Sequence, residues 1–290
     1  MALLDGKDLA KTIRKKVKEQ TAEFTKQWGR LPTLHVILVG EDPASEIYVR
    51  NKGRACKKAG IEFHEHKLTA DTPADKLLTL VKSLSNNNAV DGILVQMPLP
   101  DHLPADAVIA AIDPRKDVDG FHPVNLGNLI TGKANLVPCT PLGCMKLLEE
   151  ADVSLKGKNA VVVGRSTIVG KPMALMLLEK HATVTVCHSK TEKLAHIVAE
   201  ADVVVAATGQ PELIKGEWIK KGAAVLDVGI NRMEDGTLLG DVEFHTAAVR
   251  AAWISPVPGG VGPMTIACLI SNTVKAGNAR LGAANASRSA

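Results

Sequence analysis

Ala160-Val161-Val162-Val163-Gly164-Arg165-Ser166-Thr167-Ile168-Val169-Gly170-Lys171-Pro172 runs from small apolar residues through a Gly/Ser turn into a helix start marked by Pro in its first turn. The apolar run is short and β-branched, so it reads as a buried strand. Strand, tight turn and helix N-terminus in succession make an anion cradle, because unpaired amides and the helix dipole face the same way. The spacing is G-x-S-x-x-x-G and departs from the G-x-G-x-x-G dinucleotide fingerprint, so context carries this reading more than text does. An ordinary strand-to-helix turn with solvated charges is the alternative at this stage.

The next strand, 183–187, narrows the choice. An NAD site wants a carboxylate for the ribose 2′-hydroxyl near the end of its second strand. Here Val184-Thr185-Val186-Cys187 runs into His188-Ser189-Lys190. Ser189 and Lys190, with Arg165 from the first turn, suit a 2′-phosphate, which points to NADP. Strand ends at Ala206-Ala207-Thr208-Gly209 and Asp227-Val228-Gly229-Ile230-Asn231 carry small residues, as expected where backbone lies against a ribose or nicotinamide; plain strand-end turns read equally well.

Outward from this segment, helix-like and strand-like apolar periods alternate, the mark of an α/β fold with parallel sheets. Towards the N-terminus, helices are expected at 7–28, 45–59 and 73–87, and strands at 34–39, 61–68 and 92–96. Residues 113–142, rich in Pro, Gly, Asn and Asp, read as an irregular connection at a domain junction. Beyond it come a short helix near 142–150, the strand 160–163, helices at 170–180 and 191–199, strands at 183–187, 203–206 and 224–228, and a last helix at 263–276. The Gly/Asn/Ser/Ala tail after it reads as frayed.

The chain has 290 residues, 35 Lys+Arg against 31 Asp+Glu, and 46% hydrophobic residues, which fits a packed globular protein of two domains. Four Phe, three Trp and the single Tyr48 leave the core to aliphatic residues. No five-residue window is mostly lysine and arginine with interleaved aromatics, which argues against a dedicated nucleic-acid partner. No 18-residue apolar run argues for a membrane span. Cys56, Cys139, Cys144, Cys187 and Cys268 show no C-x-x-C pair, so neither a disulfide framework nor a thiolate metal site is indicated, and a reducing, cytoplasmic setting is expected.

A second constellation carries reactive side chains. On a helix, Ser45, Tyr48 and Lys52 are i, i+3 and i+7 and share one face. A solvated helix side is the bland reading, but Glu46, Arg50 and Lys57 already supply charge elsewhere on that helix. A lysine against apolar surface exchanges protons near neutrality, which makes Lys52 an acid–base candidate. Val95-Gln96-Met97-Pro98-Leu99-Pro100 lies at a strand's carboxyl end, where open α/β sheets bind ligands. Asp119, in Asp117-Val118-Asp119-Gly120-Phe121, is placed to accept from a polar ring or to form an Asx turn. The bend Pro258-Gly259-Gly260-Val261-Gly262-Pro263-Met264-Thr265 brings backbone close to a ligand or makes a tight crossover.

Together and in this order, Tyr48-Val49-Arg50-Asn51-Lys52, Gln96 to Pro100, Asp117 to Phe121, the Gly164 turn and the Gly/Pro bend resemble the bacterial methylenetetrahydrofolate dehydrogenase/cyclohydrolases. The resemblance implies an N-terminal α/β substrate domain (1–120), a Rossmann-like NADP-binding domain (140–262) and a cleft between them. It further implies a helix at about 263–278 packing back on the first domain, and 279–290 is expected to be a disordered tail. It implies NADP-dependent oxidation of 5,10-methylenetetrahydrofolate, then hydrolysis to 10-formyltetrahydrofolate, by a cytoplasmic homodimer serving one-carbon metabolism and purine biosynthesis. Lys52 takes the place of the family's catalytic lysine, Tyr48 of its stacking tyrosine, Gln96 of the glutamine beside the lysine and Asp119 of the pterin-binding aspartate. Ser45, Val95, Met97, Pro98, Pro258, Gly259, Gly260 and Val261 fall near the folate, and Gly164, Arg165, Ser166, Ser189 and Ile230 near the cofactor. A shikimate- or amino-acid-type NADP dehydrogenase and a non-catalytic nucleotide-binding protein are the rival readings.

Overall fold

The computed structural model describes residues 1–289. The chain begins with a short strand, β1 (Ala2–Leu3), then α1 (Gly6–Trp28), β2 (Thr33–Val39), α2 (Pro43–Ala59), β3 (Glu62–Leu68), α3 (Ala74–Asn86) and β4 (Gly92–Val95). Three helices follow, α4 (Ala105–Ala110), α5 (Pro123–Ile130) and α6 (Cys139–Glu150). The second half continues through β5 (Asn159–Val163), α7 (Gly170–Glu179), β6 (Thr183–Cys187), α8 (Leu194–Ala199), β7 (Val203–Ala206) and β8 (Ala224–Asp227). A small hairpin, β9 (Asn231–Arg232) and β10 (Leu238–Leu239), precedes α9 (Phe244–Arg250), β11 (Trp253–Ile254) and the long α10 (Val261–Ser289).

The chain divides into two compact units. Among the described residues, one comprises 12–128, 133–137 and 266–289; the other comprises 1–11, 129–132 and 138–265.

In the first unit β3, β2 and β4 form a parallel sheet in that order, with β2 central. Every residue of β4 is buried, as is usual for parallel strands covered on both faces. Ile37, Val39, Ile93 and Val95 pack against Leu77, Val81 and Leu84 of α3. Helix α2 is fixed at both ends: the Asp42 carboxylate accepts the Ser45 amide at 2.8 Å, and Gly60 closes the helix with φ 80°. Lys116 is buried and donates to the carbonyls of Leu84, Ser85 and Asn87, so a cation caps the C-terminal end of α3. Buried Asp91 accepts a bidentate pair from Arg30 and a further bond from Arg280 of α10.

In the second unit the order is β1-β11-β8-β7-β5-β6, all pairs parallel. The chain passes from β5 outward to β6 and then crosses to β7 on the other side, so strand order reverses between β5 and β7. Val163, Cys187, Ala206 and Asp227 stand in register, which sends the loops after β5, β6, β7 and β8 from one edge. Such an edge, beside a reversal of strand order, is where open α/β sheets bind ligands.

Three features differ from the sequence reading. Residues 1–11 join the six-stranded sheet, β1 pairing with β11, because Ala2 and Leu4 donate to the carbonyls of Ala252 and Ile254. The segment 113–142, expected to be irregular, holds α5 and the start of α6. Side chains rather than apolar period build this stretch: His122 Nδ1 accepts the Val124 amide, and Asn125 donates to Pro114 O and Asp117. The last helix does not end near residue 276 but runs to Ser289. Ala276, Ala279, Ala283, Ala284 and Ala286 lend it helix propensity, and Arg280 ties it to Asn88 and Asp91.

Candidate active site

In the unit with the three-stranded sheet, α2 follows β2 and the 96–100 turn follows β4, the two strands between which the strand order reverses. Lys52 of α2 is only 6% exposed, and its Nζ donates to Gln96 Oε1 at 2.8 Å. Gln96 in turn donates from Nε2 to the Met97 carbonyl at 2.7 Å, and its backbone amide is held by Ile37 O. Those two bonds settle which end of the amide faces the lysine: the donor end is used on Met97, leaving the acceptor for Nζ. Tyr48, one turn before Lys52, is half-buried, and burial raises its hydroxyl above the usual phenol range.

Ser45 lies one turn before Tyr48, at the start of α2. It is buried, and its amide donates to the Asp42 carboxylate, so it serves the start of α2. Cys56, one turn after Lys52, is fully buried; burial pushes its thiol up to about 12, so it is inert as a nucleophile.

The segment 117–121 divides its two carboxylates by task. Asp117, 2% exposed, accepts from the amides of Gly120 and His122 and from Asn125 Nδ2, and burial raises it above the usual carboxylate range. It holds the turn. Asp119 is less buried and lines a small cavity with Val95, Met97 and Phe121. Pro98 follows Met97 through a cis peptide bond.

In the other unit the site is made of backbone. Gly164 has φ 123°, and a Cβ there would stand 2.1 Å from Ala207 O. A Cβ on Gly170 would stand 2.1 Å from Gly164 O. No other residue type fits at either place. Ser166 Oγ accepts the amides of Val169 and Gly170 at 3.2 and 3.3 Å, closing the turn over the N-terminus of α7. This tight turn of amides, with Arg165 and Ser166 exposed beside it, fits a dinucleotide's pyrophosphate. After β6, His188 accepts the Lys190 amide and donates its own to Thr191, which leaves Ser189 and Lys190 exposed at the same edge. Ile230 follows β8, and its Cδ1 lies 3.6 Å from where a Cβ on Gly262 would be. Pro258, Gly259, Gly260 and Val261 therefore lead into α10 close to Ile230 within one unit. Among the described residues no group of three His, Cys, Asp or Glu side chains is placed to hold a metal.

Sequence reasoning missed the buried carboxylates Asp227 and Asp241, both at this edge. The signal was an acid closing the apolar run Ala224-Val225-Leu226-Asp227.

The profile of the tetrahydrofolate dehydrogenase/cyclohydrolase catalytic domain matches residues 4–119, and that of the NAD(P)-binding domain of the same enzymes matches residues 138–281. A Moorella thermoacetica protein named bifunctional protein FolD is 57% identical over 274 residues, covering 94% of this chain and 98% of that one. Among solved structures, the bifunctional FolD methylenetetrahydrofolate dehydrogenase/cyclohydrolase of Campylobacter jejuni aligns with TM-score 0.94 at 47% identity, over 97% of this chain and 99% of its own. The Trypanosoma brucei enzyme, complexed with NADP and an inhibitor, aligns with TM-score 0.93 at 40% identity, over 97% and 98% of the two chains. Shikimate 5-dehydrogenase of Thermus thermophilus, at 17% identity and TM-score 0.54 over 85% of this chain and 99% of its own, shares the fold alone. The likeness in sequence thus runs through both units, and the chain belongs to the tetrahydrofolate dehydrogenase/cyclohydrolase family.

Proposed function

We propose that this chain oxidises 5,10-methylenetetrahydrofolate to the 5,10-methenyl cation with NADP and hydrolyses that cation to 10-formyltetrahydrofolate. The observation that carries the reading is the buried Lys52 amine bonded to an oriented Gln96 amide, one turn from the only tyrosine in the chain.

The two reactions ask different things of the protein. The carbon that loses hydride sits between two nitrogens whose lone pairs stabilise the cation, so the oxidation needs alignment more than a strong base. Tyr48 offers a ring for the pterin to stack on, and Asp119 accepts from its polar edge. Val95, Met97 and Pro98 lie along the folate, and Ser45 keeps the start of α2 in place. NADP, when bound, takes up the hydride. Gly164, Arg165 and Ser166 hold its pyrophosphate, Ser189 and Arg165 its 2′-phosphate, and Ile230 the nicotinamide side. Charge at the end of β6 comes from Lys190 with no carboxylate beside it, which supports NADP over NAD.

Hydrolysis needs a proton to move between the attacking water and a ring nitrogen. Lys52 Nζ carries that proton, and Gln96 Oε1 holds Nζ in line. Lys52→Met therefore lowers cyclohydrolase turnover by about 100-fold or more and leaves part of the hydride transfer. Turnover of methenyltetrahydrofolate and NADPH formation, measured on one preparation, check this. Unimpaired hydrolysis removes Lys52 from the mechanism.

The same reading makes the chain a cytoplasmic homodimer that supplies formyl units for purine synthesis. Five buried cysteines, none of them disulfide-bonded among the described residues, agree with a reducing compartment. Light scattering on the purified protein tests the dimer.

A further inference from the structure

Two buried carboxylates at the carboxyl edge of the six-stranded sheet touch neither substrate nor NADP in this account. Asp227 closes β8 and Asp241 follows β10; they are 3% and 0% exposed. Asp241 Oδ2 accepts the amides of Thr208 and Gly209 at 2.5 and 3.0 Å, and its Oδ1 accepts Asn231 Nδ2 at 3.0 Å. Asp227 accepts the amides of Gly229, Asp241 and Val242 at 3.0, 2.8 and 2.9 Å. Its own amide donates to Ser255 Oγ at 2.7 Å. The fit is close on both sides: a Cβ on Gly229 would lie 2.1 Å from Asp241 Oδ1, and one on Gly240 would lie 1.8 Å from Asp227 Oδ2. Burial, with the neighbouring Asp241 charge, lifts Asp227 to about 7. Two acids are thus kept out of water at a cost, and apart from Asp241 and Val242 their backbone partners Thr208, Gly209 and Gly229 lie in the loops after β7 and β8.

Those loops have an address. Along the edge the order is β6, β5, β7, β8, so a dinucleotide with its 2′-phosphate beyond β6 and its pyrophosphate on the turn after β5 lays its other end over the loops after β7 and β8. Those are the segments 207–209 and 228–231. Ala207 O is also the atom against which Gly164 is pressed, which joins the pinned loop to the phosphate turn.

We propose that Asp241, set in place by Asp227, is the positioning residue that holds segments 207–209 and 228–231 in the conformation that receives the nicotinamide end of NADP. This rests on the NADP-dependent dehydrogenase and cyclohydrolase reading above, and the second activity supplies an internal control.

Asp241→Asn keeps the shape but turns an amide NH2 either on the Thr208 and Gly209 amides or on Asn231, setting donor against donor. The Kd for NADP, measured by titration calorimetry, rises about tenfold, while cyclohydrolase kcat and KM stay within about twofold, since hydrolysis draws nothing from these loops. An unchanged Kd overturns the proposal, and so does a fall in cyclohydrolase activity in step with NADP affinity, which marks a merely structural residue. Should Asp241→Asn fail to give a native circular dichroism spectrum, Asn231→Ala decides. It removes one bond to Asp241 from a half-buried residue and raises the Kd about threefold with the same split; an unchanged Kd there overturns the proposal as well. A parent chain that neither binds NADP nor hydrolyses methenyltetrahydrofolate strikes down the functional reading and this inference with it. A parent with both properties and a variant unchanged in both strikes down the inference alone.

Discussion

At the carboxyl edge of the three-stranded sheet the notable groups are side chains: a buried amine, the amide oriented on it and a half-buried tyrosine ring. At the same edge of the six-stranded sheet they are backbone: Gly164 and Gly170 pressed on main-chain oxygens, and loop amides held by Ser166, Asp227 and Asp241. The difference follows from the tasks. Moving a proton needs a group with a titratable atom at a defined point. Holding a polyanion needs many weak donors fixed at once, which main-chain amides supply without side-chain entropy cost. One edge should therefore be sensitive to residue chemistry and the other to residue volume.

The largest effect that would break this contrast is at Gly164. Gly164→Ala puts a methyl 2.1 Å from Ala207 O at a φ of 123°. Strain and displacement cost about 3 kcal/mol in the six-stranded unit, with loss of measurable NADP binding; denaturant unfolding and calorimetry check both. An alanine tolerated there would mean that the turn does not depend on close backbone approach.

The next effect sharpens the side-chain edge. Tyr48→Ala should raise the folate KM by about tenfold, equal to about 1.4 kcal/mol, while changing stability by less than about 1 kcal/mol because the ring is only half-buried. Tyr48→Phe should keep the KM of the parent. Equal losses in both variants would assign the role to the hydroxyl and not the ring.

The smallest effect separates the units by pH. His35 stacks on His64 and His66 on the three-stranded sheet, and burial, with those two neighbours, lowers it to about 4. The folded form therefore keeps His35 neutral, and its contribution is full above about pH 6.5 and is lost as pH falls towards 4. Asp227 works in the opposite sense: raised to about 7, it favours the protonated folded form, and stability declines as pH rises from about 4 through 7. Amide protection measured at pH 5 and pH 7 should fall on acidification around β2, by up to about 1 kcal/mol after solvent screening, and not around β8. His35→Gln should flatten the first trend. Parallel trends in both units would contradict the assignment.

How much of this was legible in the sequence follows the same division. Lys52, Tyr48 and Gln96 were readable because a lone tyrosine between polar residues at helical spacing, and a glutamine closing an apolar strand, are chemical signals in themselves. The order of strands and helices was readable from apolar period. Spacing put Ser45 on the helix face of Tyr48 and Lys52 but could not show that its amide is the one the Asp42 carboxylate caps. Helix α5 went unseen since His122 and Asn125 build it through bonds to near neighbours, which leave no period. Asp227 and Asp241 were missed for a related reason: 14 residues separate them, and only the fold brings Thr208, Gly229 and Asn231 to them.

The most direct test of the central claim, two reactions on one chain with NADP as oxidant, is a single spectrophotometric time course. Purified protein is mixed with 5,10-methylenetetrahydrofolate and either NADP or NAD, and NADPH or NADH and the methenyl cation are followed together. Rapid NADPH formation with NADP, much slower reaction with NAD, and methenyl absorbance that rises and then decays faster than in a protein-free control are the expected results. No NADPH, or methenyl that decays only at the control rate, would contradict the claim.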